Sequence, residues 1–208
     1  MFHLTCNRLF LCYNGIMKQG TRTTINVNGN KLDVIFLGKG TWTNAYRDEG
    51  GLRVFLNVRR GRGQTFGGTV DYSKDILANC KPITHLPVVE RLGGVEGNEW
   101  FSSPLYQPLK AANVKAWTQY RALEAAVKEV TDGYTHLPKS SPDRMYRQLM
   151  RVAGVLESKN FPAIAMAVET LAGYAADYET WGSEVAPRNL GVGVDGELIL
   201  LDCLFCVG

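Results

Sequence analysis

Length, composition and charge exclude several classes of protein. The chain has 208 residues, which is enough for one domain or for two lobes that share one cleft. Hydrophobic residues make up 45% and charged residues 21%, a globular balance that excludes a disordered tail or a fibre. No apolar run approaches the ~18 residues that a membrane-spanning helix needs. A net charge of +3 is too small for strong non-specific binding to nucleic acid through bulk charge.

The cysteines argue against a disulfide framework, because their number is odd and their spacing is scattered. We therefore expect a reducing, cytoplasmic setting. Cys203 and Cys206 form a C-x-x-C, but a zinc site would need a second pair, so thiols beside a buried strand are the preferred interpretation. The cysteines are Cys6, Cys12, Cys80, Cys203 and Cys206.

The first part of the chain predicts an antiparallel sheet. Runs of β-branched and apolar residues alternate with turn signals at Gly29-Asn30 and Gly50-Gly51. The glycine-rich stretch at 38–46 is typical of a loop between strands. Residues 59–68, with three arginines, are typical of a basic loop, and residues 70–80 are predicted to form a short helix. The predicted strands are 23–28, 31–37, 52–58, 86–92 and 100–105.

From Asn113 onward the apolar spacing changes from two to about 3.6 residues, which predicts helices with one buried face. The first helix has Asn113 as its N-cap and stops at Gly133, the second opens at Ser141-Pro142, and the third opens at Pro162. The predicted apolar stripes are Val114, Trp117, Tyr120, Leu123, Val127 and Val130; Met145, Leu149, Val152 and Leu156; and Ile164, Val168, Leu171, Ala175 and Tyr178.

Strands, then helices, then one hairpin predict an α+β fold with two segregated lobes. We expect an N-terminal lobe built on an antiparallel sheet at 17–109 and a helical C-terminal lobe at 110–208. Residues 1–16 are treated as an N-terminal extension without an assigned role, with Met17 as an alternative start.

The hairpin carries a possible metal site. Leu190–Val194 and Glu197–Leu201 flank Asp195-Gly196, a favoured two-residue turn. A tight hairpin brings Asn189, before its first strand, close to Asp202, after its second strand. Amide and carboxylate oxygens suit Mg²⁺, which also binds substrate phosphates. The alternative is that Asn189 caps a turn and Asp202 solvates a strand end, and the residues alone favour neither interpretation.

The glycine-rich stretch carries a second, weaker signal. Gly38-x-Gly40 between two strands would let the backbone approach a ligand closely and aim N–H groups at a phosphate. A plain tight turn is at least as good an interpretation. A dinucleotide-binding fold is excluded, because a strand follows the glycines where that fold needs a helix.

Together these two segments resemble a protein kinase. The stretch 37–46 and the following Arg53–Val58 look like the nucleotide loop and the third strand of that family. Asn189, the hairpin and Asp202 look like its catalytic loop running into the metal-binding aspartate. The resemblance implies a two-lobed protein-kinase-like fold with a truncated helical C-terminal lobe.

The resemblance covers 31–205 as an order of elements, and residues 85–90 and 103–106 look like the strands that lead to the hinge. Within the family the chain is most similar to the early protein kinases of short-tailed lytic bacteriophages. The implied cofactors are ATP and Mg²⁺. The implied nucleotide-binding residues are Gly38, Lys39, Gly40, Thr41, Asn57 and Arg59, and the implied metal ligands are Asn189 and Asp202.

The sequence departs from the family where the family carries its chemistry. Kinases hold the phosphates with a lysine on the third strand, and here Asn57 occupies that position, with Arg59 two residues on as a substitute cation. Glu184 stands where the family has its catalytic aspartate, and Thr43 replaces the third glycine of the loop. Asp202 is followed by Cys203-Leu204 instead of Phe-Gly, and with six residues after Asp202 we expect no activation segment, which in the family positions a peptide substrate.

Three functions compete. A degenerate, pseudokinase-type phage protein that binds and modulates a host bacterial protein in the host cytoplasm is favoured, because the lysine and the aspartate base are both replaced. An active ATP- and Mg²⁺-dependent Ser/Thr kinase is the alternative, with Glu184 as base and Asn189 and Asp202 on the metal. A nucleic-acid binder that uses the arginines of 53–62 is disfavoured, because a solvated loop explains them as well. A membrane partner is not expected.

Overall fold

The protein has an α+β fold in the computed structural model, and the described residues divide into two compact units. The first unit comprises the described residues of Met1–Gln64 and Val88–Leu105, and the second those of Thr65–Pro87 and Tyr106–Gly208. The structure describes residues 17–39, 43–58, 83–95, 98–176 and 181–201, with the backbone alone for 181 and 204–206.

Strands predominate in the first unit and helices in the second. The strands are β1 (Arg22–Val27), β2 (Asn30–Lys39), β3 (Thr43–Asp48), β4 (Arg53–Val58), β5 (Glu90–Val95), β6 (Asn98–Pro104), β7 (Gln107–Pro108), β8 (His136–Ser140), β9 (Trp181–Glu184), β10 (Leu190–Val192), β11 (Leu198–Leu200) and β12 (Leu204–Cys206). The helices are α1 (Val114–Val130), α2 (Pro142–Ser158) and α3 (Pro162–Ala176), and Pro187–Asn189 form a 3-10 turn.

The first unit is one antiparallel sheet in the order β1-β2-β3-β4-β6-β5. It curls so that β1 and β5 approach each other, and the side-chain amide of Asn28, in the turn between β1 and β2, donates a hydrogen bond to the Leu92 carbonyl of β5. Asn28 and Gly29 both have positive φ, as the two-residue turn of a twisted hairpin requires. The curled sheet encloses a small apolar core made of Ile25, Val27, Val34, Phe36, Tyr46 and Phe55.

The predicted loop at 38–46 is mostly strand. Pairing between β2 and β3 continues to Lys39, whose Cα lies opposite Asn44, after a register shift between Phe36 and Gly38. The alternation of buried and less buried residues along β2 also continues to its end, so the period-two pattern extends through the glycine. Residues 40–42 lie outside the described part.

The strand predicted at 86–92 begins later, since β5 starts at Glu90. His85 has a φ of 74°, in the left-handed region, and Pro87 lacks an N–H donor, so neither continues a strand ladder. Leu86 instead packs, 4% exposed, in the core of the second unit. The second unit also begins again at Tyr106, earlier than the expected boundary between 109 and 110.

The helices of the second unit confirm the predicted spacing. Each buries its stripe in one common core, with the exceptions of Val114, which is 73% exposed, and the half-buried Trp117. Tyr178 lies outside the described residues. The buried stripe residues are Tyr120, Leu123, Val127 and Val130; Met145, Leu149, Val152 and Leu156; and Ile164, Val168, Leu171 and Ala175.

The helix starts are as predicted, but the predicted side-chain caps are absent. Asn113 and Ser141 make no side-chain capping hydrogen bond. The Asn113 side-chain oxygen instead accepts from the Lys110 N–H at 3.0 Å, which closes the turn before α1. The Gly133 N–H donates to the Lys128 carbonyl at 2.7 Å, as expected of a glycine that ends a helix.

Two small antiparallel sheets complete the second unit. One has the order β11-β10-β7 and places Pro108 on an edge strand, where a missing N–H is tolerated. The other, β12-β9-β8, was not predicted, because each of its strands is short and lacks regular alternation. The predicted basic loop at 59–68, the helix at 70–80 and the extension at 1–16 lie outside the described residues.

Candidate functional site

The hairpin predicted to carry the metal ligands is present, with a different turn. β10 and β11 pair in the register Leu190↔Leu200 to Val192↔Leu198. Gly193 and Glu197 close a three-residue loop through Gly193 N–H to Glu197 carbonyl at 2.8 Å, and Gly196 has a φ of 75°. The loop therefore belongs to the class with a glycine in the left-handed position, and the predicted two-residue turn is wrong.

Asn189 is fixed by its backbone and by its side chain. It is 6% exposed, and its N–H donates to the Ala186 carbonyl at 2.8 Å. Its side-chain nitrogen donates to the Glu184 carbonyl at 3.2 Å. Its own carbonyl accepts from the Leu201 N–H at 3.0 Å. The end of the hairpin is therefore tied to Asn189 at the last residue before Asp202, which itself lies outside the described part of the chain.

Glu184, the predicted base, ends β9 and forms an ion pair with Arg188. The two residues are four apart, and Arg188 is the middle residue of the 3-10 turn at Pro187–Asn189. Their side chains are 36% and 46% exposed, so water screens the pair and its contribution to stability is small. The pair still gives the Glu184 carboxylate a cationic partner within the loop that carries Asn189.

The predicted nucleotide-binding residues belong to the first unit, and the structure describes three of them. Gly38 and Lys39 are the last two residues of β2, with Gly38 buried and Lys39 partly exposed. Asn57 is on β4, 4% exposed. The remaining three, Gly40, Thr41 and Arg59, lie outside the described residues.

Asn57 is buried and hydrogen-bonded where the resemblance expects a lysine. Its side-chain nitrogen donates to the Asn98 side-chain oxygen at 2.8 Å, and its Cα pairs with Asn44, which is 7% exposed. A buried amide must satisfy its polar atoms within the protein, and this hydrogen bond joins β4 to the neighbouring strand β6. The position is thus built for a neutral amide.

A polar cluster missed by the sequence analysis holds the outer edge of β11. The Leu198 N–H donates to the Gln119 side-chain oxygen at 2.8 Å. The Leu198 carbonyl lies 2.7 Å from Nδ1 of His85, and the Leu200 N–H donates to the His85 carbonyl at 2.8 Å. His85 is 2% exposed, so these contacts are shielded from water.

Glu197 completes this cluster. Its carboxylate accepts from Lys115 and Gln119 and lies 4.0 Å from Nε2 of His85. Burial alone would raise the pKa of Glu197, but the hydrogen bonds from Lys115 and Gln119 outweigh burial, so its pKa lies below the ordinary value of 4.5. The carboxylate therefore remains ionised at neutral pH and links α1 to the hairpin.

The cluster joins residues that are far apart in sequence, which is why no local pattern indicated it. His85 and Leu198 are 113 positions apart, and Gln119 and Leu198 are 79 apart. One weak signal was present, because Lys115 and Gln119 share a helix face at i and i+4. That spacing indicates a polar stripe without indicating its partner.

The chain matches no protein-family model and no curated protein. Within the described ranges, no group of three or more His, Cys, Asp and Glu side chains is arranged to hold a metal ion. None of the helices described above has the length and apolar content to cross a membrane.

Proposed function

We propose that the protein is a kinase-like protein that binds and modulates a host bacterial protein and transfers phosphate weakly or not at all. The observation that carries this proposal is the environment of Asn57. This residue stands at the third-strand position where a kinase holds its lysine, and it is a buried amide bonded to Asn98.

The missing lysine removes a large electrostatic contribution. Phosphoryl transfer depends on positioning and on cations that stabilise the charge of the phosphates, with little covalent chemistry for the protein to perform. A neutral amide supplies no charge at this position, and the Asn57 side-chain nitrogen already donates to Asn98. Nucleotide binding can survive this change more readily than transfer does.

The base position supports the same conclusion. Glu184 is one methylene longer than the aspartate of the family, and a displacement near 1 Å can lower a rate on the order of 10²-fold. Its carboxylate is paired with Arg188, which holds the side chain within its own loop. The replacements at Asn57 and Glu184 would both reduce phosphate transfer while leaving the fold unchanged.

Mg²⁺ would be bound by Asn189 and Asp202, and when bound it would neutralise phosphate charge. The side-chain nitrogen of Asn189 donates to the Glu184 carbonyl, and an amide oxygen is a ligand type that a hard cation accepts. The hydrogen bond from the Leu201 N–H to the Asn189 carbonyl ties the chain to Asn189 one residue before Asp202. An amide oxygen and a carboxylate are donor types that Mg²⁺ prefers.

The proposal is tested by restoring the missing groups. We expect wild type to transfer labelled phosphate from ATP weakly or not at all, and we expect Asn57→Lys together with Glu184→Asp to raise the rate of transfer. Asn57→Met with Glu184→Asp is the matched control, because it introduces a side chain of similar length without charge. Wild-type transfer at about 1–100 per second, the ordinary range of a kinase, that Asp202→Ala abolishes would overturn the proposal.

Binding to a host protein needs a separate test. We expect the tagged protein to retain one host protein at a fixed stoichiometry, with the same affinity for wild type and Asp202→Ala and without added ATP. A complex that forms only with ATP and is lost in Asp202→Ala would instead indicate an enzyme and its substrate.

An active Ser/Thr kinase is the second candidate, and the hold on Asn189 favours it. A protein without use for a nucleotide has no need of a buried asparagine fixed beside the hairpin end. In this case Glu184 would act as base and Asn189 and Asp202 would bind Mg²⁺. A ligand at 100 times its Kd adds about 2.7 kcal/mol, so ATP with Mg²⁺ would visibly raise the melting temperature, and the absence of a rise would exclude this candidate.

A further inference from the structure

The outer face of α2 presents a row of arginine side chains, called here the arginine stripe. Arg144, Arg147 and Arg151 are exposed, and they follow one another at spacings of three and four residues. That spacing places them on one side of a helix. Arg144 and Arg151 are separated by about two turns, or about 10 Å along the axis. The helix therefore carries three cations in one line.

Two of the three arginines have charges that the fold does not neutralise. Arg147 pairs with Asp143, four residues earlier, and both side chains are largely exposed. Within the part of the chain that the structure describes, neither Arg144 nor Arg151 forms an ion pair or a side-chain hydrogen bond. A net charge of only +3 produces little field over the whole chain, but neighbouring cations on one face produce a local positive patch. The stripe is therefore suited to an anionic partner.

The stripe continues to Gly154, a glycine that the described packing does not require. Gly154 is exposed inside α2, three residues beyond Arg151, and a Cβ there would meet no heavy atom of another described residue within 4 Å. Glycine inside a helix is less stable than alanine, because it loses more conformational freedom on folding. What glycine does provide is a close approach to the helix backbone. A second molecule that lies along the stripe would use that space.

An open hollow adjoins the N-terminal end of the stripe. Its volume is about 450 Å³, within the range of about 300–1,000 Å³ that is usual for pockets that bind ligands. Asp143 belongs to both features, since it lines the hollow and pairs with Arg147 of the stripe. Most of the lining residues offer carbon atoms, so the hollow suits an apolar side chain. The lining residues are Ser141, Pro142, Asp143, Tyr146 and Ala176.

We propose that the arginine stripe and the hollow bind an acidic segment of a host protein, which inserts one apolar side chain into the hollow. The inference rests on the proposed function, because the partner is taken to be a host protein. Arg144 and Arg151 can each hold a carboxylate through two parallel N–H···O bonds. Nucleic acid fits less well, because Asp143 repels a continuous row of phosphates, whereas a protein segment can place a neutral residue opposite it.

The test measures, by fluorescence anisotropy, the affinity of the full chain for a labelled glutamate-rich peptide that contains one leucine. We expect Arg144→Gln with Arg151→Gln to weaken binding on the order of tenfold, because two exposed ion pairs are lost. Lys18→Gln with Lys31→Gln is the matched control. It removes the same charge from exposed positions of the first unit and should change the affinity less than about twofold.

A double-mutant cycle tests the hollow. Replacing the leucine of the peptide by glycine should weaken its binding to wild type about fivefold, since the apolar side chain is lost. In Tyr146→Ser, which removes one wall of the hollow, the same replacement should have little effect. Equal effects of the replacement in wild type and in Tyr146→Ser would overturn the assignment of the hollow.

The outcomes separate this inference from the proposed function. If wild type does not bind the peptide, or if the folded double arginine variant binds it as wild type does, the docking surface is wrong even where a host protein is retained. If the double variant does not fold, Arg144→Gln alone decides, and an unchanged affinity would overturn the stripe. Tighter binding of a single-stranded oligonucleotide, lost in the same variant, would overturn the protein partner. Phosphate transfer at an ordinary kinase rate, with peptide binding still lost in the arginine variant, would overturn the proposed function alone.

Discussion

Replacing Gln119 with leucine tests how much of the hairpin's stability comes from the side chain on the outer edge of β11. The substitution leaves the Leu198 N–H without its partner at 2.8 Å, and Leu198 is fully buried. An unsatisfied buried donor costs about 1–3 kcal/mol. Glu197 also loses a donor but keeps Lys115 and is partly exposed, so that loss adds less. We expect a total of about 2–3 kcal/mol.

The assay has a global and a local part. Urea unfolding gives the free energy of unfolding, and the expected loss corresponds to a fall in melting temperature of about 4–12 °C for a chain of this size. Amide hydrogen exchange should show a loss of protection at Leu198 in particular. Thr118→Ala is the matched control, since Thr118 is the exposed neighbour in the same helix and should change stability by less than about 0.5 kcal/mol.

Gln119→Glu adds a test of sign. It keeps an acceptor for the Leu198 N–H but replaces the donor to Glu197 by a second carboxylate, so the variant should gain stability relative to wild type as the pH falls.

A Gln119→Leu variant within 0.5 kcal/mol of wild type, with Leu198 still protected, would refute the assignment of this contact as a major support of the hairpin.

Three further predictions concern the two units separately. Gly93→Ala should lower the free energy of unfolding in urea by about 1–3 kcal/mol more than Gly20→Ala does. Both glycines have positive φ, but only at Gly93 would the new Cβ approach Asn28 Cγ, at 2.7 Å. Equal losses for the two variants would contradict the curled sheet. Leu156→Ala should cost about 2–5 kcal/mol, since its side chain is fully buried, whereas its exposed neighbour Glu157→Ala should cost little, and similar values for the two would contradict the helix orientation. Because the pKa of Glu197 is lowered, its ionised form stabilises the fold, and this stabilisation is lost as the pH falls below 4.5. Glu197→Gln should therefore reduce the slope of the free energy of unfolding against pH in that range by up to about 1.4 kcal/mol per pH unit. Wild-type and variant curves with the same slope would contradict this role of Glu197.

Much of the fold could be predicted from local patterns. A strand or helix that buries one face must repeat its apolar residues with period two or about 3.6, and β1, β4 and the three helices were predicted on that basis. The same reasoning failed at 86–89, because an apolar run indicates that its residues are buried but not in which core they are buried. The left-handed backbone at His85 sends Leu86 into the helical core instead of into the sheet.

The candidate site, like the fold, could be predicted from the sequence only in part. Sequence spacing singled out Asn189, Glu184 and Asn57, because a resemblance can be traced residue by residue, and it gave the residue that follows the hairpin as Asp202. It did not give the burial of Asn57 against Asn98 or the ion pair of Glu184 with Arg188. Those depend on which strand or turn lies alongside.

The sequence by itself determined most of the strands and helices and the place of the C-terminal hairpin, because both follow from residues close together in the chain. Only the tertiary structure decided what holds that hairpin in place. Its edge is satisfied by His85 and Gln119, which lie 113 and 79 positions from Leu198. Backbone groups on an edge strand accept any partner of suitable geometry, so their chemistry does not specify in the sequence which residue will supply it.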